Sequence, residues 1–313
     1  MNIGILSTSS IAPRFIAAVR EEGSFQITAL SSRSQEKAEE KAKAWNVPKA
    51  YGSHEALLED KDVDIVYISA VNSAHYKWAK AALLAGKHVI CEKPCTTTEV
   101  QTRELFALAK EKGLFLMEAQ KMLFLPAVLA AKQAIDEGRL GKVHMAEFNH
   151  SFYGSYNNWM YDEAAGGGPL LSSAIYVVEL LQFLFGCKIA QMDGLCTKYP
   201  GTNVEEQYAI SGRMENGVLF SLKNSTVALL KNGAAIYGEK GYVELPDYWK
   251  ARKVIFCDHK QTVTEEYPCD HELQYEVAHI ADCFRKGLLE SPIVTGEFSA
   301  SAIAALESVK AKW

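Results

Sequence analysis

A chain of 313 residues with 48% hydrophobic side chains holds enough apolar content for one large core or, as expected here, two smaller ones. Charged residues make up 23%, the formal net charge is -5, and no lysine–arginine block or base-stacking module occurs, which excludes a polyanion-binding surface and any nucleic-acid partner. The start, MNIGIL, enters a strand with no basic leader, and no apolar run is read as long enough to cross a bilayer, so the expectation is a cytoplasmic protein with no membrane partner.

From the N-terminus the pattern alternates strand and helix. NIGILS is a short apolar run, and SIAPRFIAAVREEG is helical with a proline that a first turn tolerates. FQITALSS reads as a strand and QEKAEEKAKAW as a charged helix. YGSHEALLEDKDV carries a short helix and DIVYISA another strand; HYKWAKAALLAG is a helix ending at Gly86, and KHVICE is again strand-like. A helix opens among the candidate caps Thr96–Thr98, stops at Gly113, and leads into the strand LFLMEA. Apolar strands spaced by helices predict a mostly parallel sheet covered on both faces. Near Pro126 the character changes. PAVLAAKQAIDEG and SSAIYVVELLQFLFG are helices, whereas from Ile189 to Glu266 short strand-like segments are joined by turns such as ENG, KNG and EKG. Two helices, HELQYEVAHIADCFRKG and SASAIAALESVKAKW, follow. The expected fold class is α/β: a Rossmann-type parallel-sheet domain over residues 1–120, then an α+β domain on a largely antiparallel open sheet over 121–313.

Ligands of open parallel sheets bind at the carboxyl ends of the strands, so the strand tips are the candidate site. The first tip, GILSTSSIA, lacks a G-x-G-x-x-G fingerprint, since Gly4 lies in the strand and Ser7 and Ser9 stand at turn positions. Ser7, Thr8, Ser9, Ser10 and Ile11 still offer hydroxyls and main-chain N–H groups at a helix N-terminus, which suits a pyrophosphate; a plain capped helix accounts for them equally well. The second tip reads Ser31, Ser32, Arg33, Ser34, with no acid before Glu36. A site for NAD normally places a carboxylate there for the ribose, whereas Ser32 and Arg33 suit a 2′-phosphate. If a dinucleotide binds, NADP is favoured and NAD remains possible; a surface arginine at a turn is the alternative. At the next tip Ala70, Asn72 and His75 stand beside this crevice, Asn72 and His75 as ribose donors or helix caps. CEKPC, residues 91–95, then puts Glu92 and Lys93 at a further tip, the lysine as proton donor or salt-bridge partner. The seven cysteines include no CxxC pair and read as reduced, core-filling thiols; the eight histidines show no ligand spacing, so no metal is expected.

Several stretches together resemble the Gfo/Idh/MocA oxidoreductase family: GILSTSSIAPRF at 4–15, NSAHYKWAKAALLAGKHVICEKP at 72–94, LFLMEAQKMLFLPA at 114–127, GGGPLLSSAIYVVELLQFLFG at 166–186 and ESPIVTGEFSASAI at 290–303. The AGKHVxxEKP run is the most specific of these. MEA, SSR at the second tip and Tyr176 are most similar to the branch of dihydrodiol dehydrogenase and NADP-dependent xylose dehydrogenase. The resemblance implies hydride transfer between NADP(H), or NAD(H), and a hydroxyl or carbonyl carbon of a sugar, polyol or small diol. It also implies an open sheet that joins copies into a homodimer or larger homo-oligomer. Lys93 falls on the family's active-site lysine and Tyr176 on its later histidine-or-tyrosine position. Where the family commonly has aspartate, four residues before Tyr176, this chain has Ser172.

Hydride transfer to a carbonyl leaves negative charge on oxygen, which must be stabilised and protonated. Tyr176 as proton donor with Lys93 as electrostatic helper and substrate binder is favoured, and the reverse assignment stays open. Glu118 and Lys121 either line the substrate space or pair with each other. The amide- and aromatic-rich segment NHSFYGSYNNWMYD suits a polyhydroxylated ligand, or is an exposed loop. Ser172 keeps in view a nicotinamide-binding regulatory protein without catalysis; separately, the sequence leaves open a non-redox sugar-processing enzyme with tightly bound NAD(P).

Overall fold

The computed structural model describes residues 1–152 and 158–313. These form two compact units: Met1–Gln120 with His271–Ala300, and Lys121–Asp270 with Ser301–Trp313.

Six strands make the sheet of the first unit: β1 (Asn2–Leu6), β2 (Gln26–Ser31), β3 (Lys49–Tyr51), β4 (Ile65–Ile68), β5 (His88–Glu92) and β6 (Leu116–Ala119). Their order is β3-β2-β1-β4-β5-β6 and every neighbouring pair is parallel. Ile3, Ile5, Ile65, Val66, Val89 and Ile90 are fully buried, as a sheet covered on both faces requires. The covering helices are α1 (Ala12–Glu22), α2 (Gln35–Trp45), α3 (His54–Glu59), α4 (His75–Leu84) and α5 (Glu99–Lys112). Local chemistry sets their ends. Ser34, Ser53 and Thr98 side chains accept from Lys37, Ala56 and Gln101 N–H groups, while Gly23 and Gly113 close α1 and α5 in the left-handed region. Strand order reverses between β1 and β4, which opens a crevice at the strand tips. β3 is a strand that the sequence reading does not contain; its three residues are only half-buried and carry no apolar run.

The expected 121–313 assignment includes His271–Ala300, yet these residues pack within the first unit. Helix α8 (Gln274–Arg285) lies on α1. Its Phe284 ring sits 4.8 Å from that of Phe115 and 5.7 Å from that of Phe25, so an apolar contact holds the segment there.

Eight strands form the sheet of the second unit: β7 (Val143–Ser151), β8 (Ile189–Lys198), β9 (Glu205–Met214), β10 (Leu219–Ser225), β11 (Gly233–Gly238), β12 (Gly241–Pro246), β13 (Lys253–Asp258) and β14 (Thr262–Glu266). The order is β14-β13-β12-β11-β7-β10-β9-β8, antiparallel except for the β7–β10 pair. Ala146, Phe148, Ile210, Leu222 and Val243 are buried in this sheet; α6 (Pro126–Asp136) packs on β12 and β13 and against α7 (Ile175–Phe185). The last helix is α9 (Gly296–Lys310); its Ser301 hydroxyl donates to Gln182 Oε1 at 2.7 Å. The stretch Glu163–Phe185 is long and apolar enough to cross a membrane by length and composition, contrary to the sequence reading. With 89% of its apolar window buried, its hydrophobicity serves the core of this unit.

Candidate active site

In the first unit the tip of β1 takes a shape that the glycine pattern misses. Ser7 has φ +85°, the left-handed region that favours glycine, and its N–H donates to Ser31 O at 3.2 Å. Ile11 O accepts from Arg14 and Phe15 N–H groups to start α1. Thr8 is half-buried and Ser10 exposed. The Ser9 hydroxyl is shielded from solvent and has no hydrogen-bond partner among the described residues. At the tip of β2, Ser31 Oγ lies 2.8 Å from His54 Nδ1, Ser32 is buried with its N–H on Tyr51 O, and Arg33 is exposed. No carboxylate among the described residues is paired with Arg33. At the tip of β4 the Ser69 N–H donates to Leu6 O, and its buried hydroxyl is likewise unpartnered. Asn72 is buried in the turn before α4.

The tip of β5 is held from several sides. Glu92 Oε1 accepts from the Tyr67 hydroxyl at 2.6 Å, and the Tyr67 ring stacks on Phe15 with centroids 3.7 Å apart. Glu118, fully buried in β6, accepts the Cys95 N–H at 2.9 Å. The His75 ring is buried, with Nδ1 2.8 Å from Pro94 O and Nε2 3.0 Å from Ala70 O. Both ring nitrogens thus face main-chain carbonyls of neighbouring tips. Cys91 and Cys95 flank Lys93 but are fully buried, and the Cys91 side chain together with burial pushes the Cys95 thiol well up. A thiol so disposed is a filler rather than a nucleophile.

These tips fit a dinucleotide. Buried hydroxyls without partners stand at the ends of β1 and β4, on the two sides of the strand reversal, and the Ser7 backbone leaves the first turn in the shape that a glycine-rich turn would have. The side chains at the second tip are hydroxyls and a cation, with no acid to repel a 2′-phosphate.

In the second unit the segment before α7 is tightly constrained. Gly168 has φ +100°, and a Cβ there would overlap the Glu205 carboxylate. That carboxylate is buried, accepts the Leu170 N–H at 2.7 Å, and has its pKa raised by burial. Residues Leu170–Ala174 then form a turn of π-helix, a feature that often marks functional sites. Ser172 donates from its hydroxyl to Gly168 O at 2.7 Å, so the serine standing in the aspartate position closes the turn's own backbone. Tyr176 follows at the head of α7 and is nine-tenths buried. Lys121 is buried at the start of a short 3-10 helix, Lys121–Phe124. Glu205 and the π turn have no counterpart in the sequence reading; a glutamate opening a strand carries no signal of its target. Of the segment 149–162, residues 153–157 lie outside the described residues. His150 stacks on Trp249 with centroids 3.9 Å apart and Phe152 lies beside it.

Comparison with known proteins accords with this arrangement. Residues 1–120 match the model of the oxidoreductase family with an NAD-binding Rossmann fold, and residues 128–244 match that of the GFO/IDH/MocA C-terminal domain. The chain is 31% identical over 300 residues to the trans-1,2-dihydrobenzene-1,2-diol dehydrogenase of Mus musculus, covering 93% of this chain and 90% of that protein. The Bos taurus enzyme of the same name is 32% identical over 304 residues, with the same coverage. Among solved structures, a point mutant of a 3-ketoreductase from Actinomadura kijaniata in complex with TDP-benzene and NADP superposes with a TM-score of 0.91 at 23% identity, covering 99% of this chain and 97% of that one. An aldose-aldose oxidoreductase from Caulobacter crescentus complexed with glycerol gives 0.89 at 23% identity, covering 98% and 96%. The chain belongs to the Gfo/Idh/MocA family of NAD(P)-dependent oxidoreductases.

Proposed function

We propose that this enzyme moves hydride between NADP(H) and a hydroxyl or carbonyl carbon of a sugar, polyol or small diol. The observation that carries the reading is the set of strand tips: buried, unpartnered Ser9 and Ser69 hydroxyls, an acid-free Ser32–Arg33 tip, and Lys93 on a loop held from both sides. The diol dehydrogenase relatives and the sugar oxidoreductases of like fold support the substrate class. In this reading Ser7, Thr8, Ser9, Ser10 and Ile11 hold the pyrophosphate, Ser32 and Arg33 the 2′-phosphate, and Ala70, Asn72 and Glu92 flank the nicotinamide half. When bound, NADP(H) supplies or accepts the hydride. Tyr176 protonates the substrate oxygen, Lys93 stabilises its developing charge, and Lys121 binds substrate. Ser172 stands where the family commonly has a carboxylate, so in this reading the phenol of Tyr176 is itself the proton donor. Two copies join through the open face of the second unit's sheet, and the free thiols suit the reducing cytoplasm.

The test is a screen of aldoses, inositols and diols with both cofactors, read at the absorbance of reduced nicotinamide. Turnover with NADP above NAD is expected, and Arg33→Ala should narrow the gap in cofactor affinity measured by fluorescence titration. Equal affinity for NADPH and NADH in the native protein would refute the 2′-phosphate assignment. Lys93→Met and Tyr176→Phe should each lower kcat/KM by about a hundredfold or more while cofactor affinity holds. Near-full activity in Lys93→Met would remove the lysine from the mechanism.

A further inference from the structure

His75 is the first residue of α4, yet its ring does not serve that helix. It reaches across two strand tips of the first unit, with Nδ1 2.8 Å from the carbonyl of Pro94 and Nε2 3.0 Å from that of Ala70. Pro94 immediately follows Lys93, and Ala70 closes the tip of β4. The ring therefore stands between the peptide beside Lys93 and the neighbouring strand tip, and in its neutral form it donates to one of these two carbonyls. The other side of the same loop is tied by the Cys95 N–H on Glu118 Oε1, 2.9 Å away, and Glu118 is fully buried in β6. Glu92, one residue before Lys93, is fixed by the Tyr67 hydroxyl. The loop that carries the lysine is thus fastened to β4 through His75 and to β6 through Glu118.

Three roles are open to a histidine here. As a helix cap it would accept from the N–H groups of its own first turn, but its ring nitrogens face carbonyls outside the helix. As a ribose donor it would need a nitrogen turned to the crevice, and both are engaged. As core filling alone it would need no polar contacts, and it has two. A neutral imidazole carries one N–H and makes one of these contacts a full hydrogen bond; the imidazolium makes both. Burial favours the neutral ring, while the backbone carbonyls and the carboxylates of Glu92 and Glu118 draw the other way.

We propose that His75 is a positioning residue for Lys93: its ring fixes the Pro94 carbonyl, and through it the direction in which the Lys93 amine is presented. The inference rests on the catalytic reading of Lys93. Displacing a catalytic group by about 1 Å costs on the order of a hundredfold in rate, so loosening the loop should register in turnover before it registers in binding.

A double-mutant cycle on the full chain separates these effects. His75→Gln keeps an amide N–H able to reach one carbonyl; His75→Phe keeps ring volume and offers none. With the best substrate of the screen, His75→Phe is expected to lower kcat about tenfold or more and His75→Gln less, with the NADPH Kd changed by less than about threefold in both. In a Lys93→Met background the same substitutions should change the residual kcat by less than about twofold. Full additivity in the two backgrounds overturns the inference and leaves the catalytic reading of Lys93 standing. A loss confined to NADPH affinity also overturns it, by making His75 a cofactor ligand. Near-full activity of Lys93→Met overturns the catalytic reading itself, and the inference with it. Should His75→Phe fail to fold cooperatively, His75→Gln completes the cycle alone.

Discussion

At Ser7 a serine holds a backbone conformation that a glycine takes without strain, which is why a search for the glycine fingerprint passes over this turn. Two substitutions test the point. Ser7→Gly should leave stability within about 0.5 kcal/mol, since relief of strain is offset by extra freedom in the unfolded chain. Ser7→Val adds β-branching at a positive φ and should lower the free energy of urea unfolding by about 2 kcal/mol. A valine variant as stable as the native chain would show that the turn relaxes to another shape. The tip residues Ser32, Arg33, Asn72 and Lys93 could be picked out from sequence because the strands around them are short apolar runs with clear helix starts after them. What each side chain touches was not legible. His75 sits in the same turn as Asn72, and only the coordinates tell a ring directed to Ala70 and Pro94 carbonyls from one directed to a ligand. Cys91 and Cys95 flank the lysine in sequence but point into the core, a consequence of strand alternation and the turn after it.

Among the elements, those with a strong period were legible, and those set by tertiary contacts were not. Helices α1, α2, α4, α5 and α6 stand out by apolar spacing, helped by the Ser34 and Thr98 caps of α2 and α5 and the early prolines of α1 and α6, whereas β3 is three residues long and exists by pairing with β2. The π turn at Leu170–Ala174 reads in sequence as the first turn of α7, because a run of apolar residues does not distinguish the two windings. Its anchor is Glu205, whose carboxylate meets the Leu170 N–H from another strand. Glu205→Ala would leave that buried N–H unsatisfied, and should lower unfolding free energy by about 1–3 kcal/mol. Because Tyr176 lies just beyond the turn, kcat should fall as well while NADPH affinity holds. If the alanine variant unfolds at the native urea concentration, the carboxylate is not what secures the turn. The glycines 166–168 could be read as permitting close backbone approach, and Gly168 against Glu205 is such a contact.

At the scale of the whole molecule, the sequence revealed two sheet types, because hydrophobic runs of 4–6 residues between helices look unlike hairpins in series. It did not reveal that His271–Ala300 joins the first unit, since the partners of the Phe284 ring, Phe25 and Phe115, are remote in sequence. That unit also gathers two buried histidines, His54 and His75, and two half-buried ones, His88 and His279, each with its pKa lowered from 6.5 chiefly by loss of solvent. Below pH 6.5 the unfolded chain takes up protons on these groups before the folded one does, so stability should fall as pH drops from 7 toward 5. Glu205, raised by burial, acts in the opposite sense but is a single group. Urea midpoints that stay flat across that window would contradict the account. The other molecular feature is the open face of the second sheet. Leu195, Leu219 and Met145 are 81%, 48% and 44% exposed there, around a depression of about 460 Å³ that Met145 and Leu219 help to line with Gln191, Ser211 and Arg213. In the assembly proposed above a second copy of the same face covers these side chains, and a stable pair needs roughly 1,200–2,000 Å² of buried surface. On that proposal, Leu195→Lys with Leu219→Lys places like charges on both copies of the patch and should convert a dimer to a monomer in sedimentation at micromolar concentration, with the fold retained by circular dichroism. A native chain that sediments as a monomer, or a doubly substituted chain that still sediments as a dimer, would move the assembly surface elsewhere.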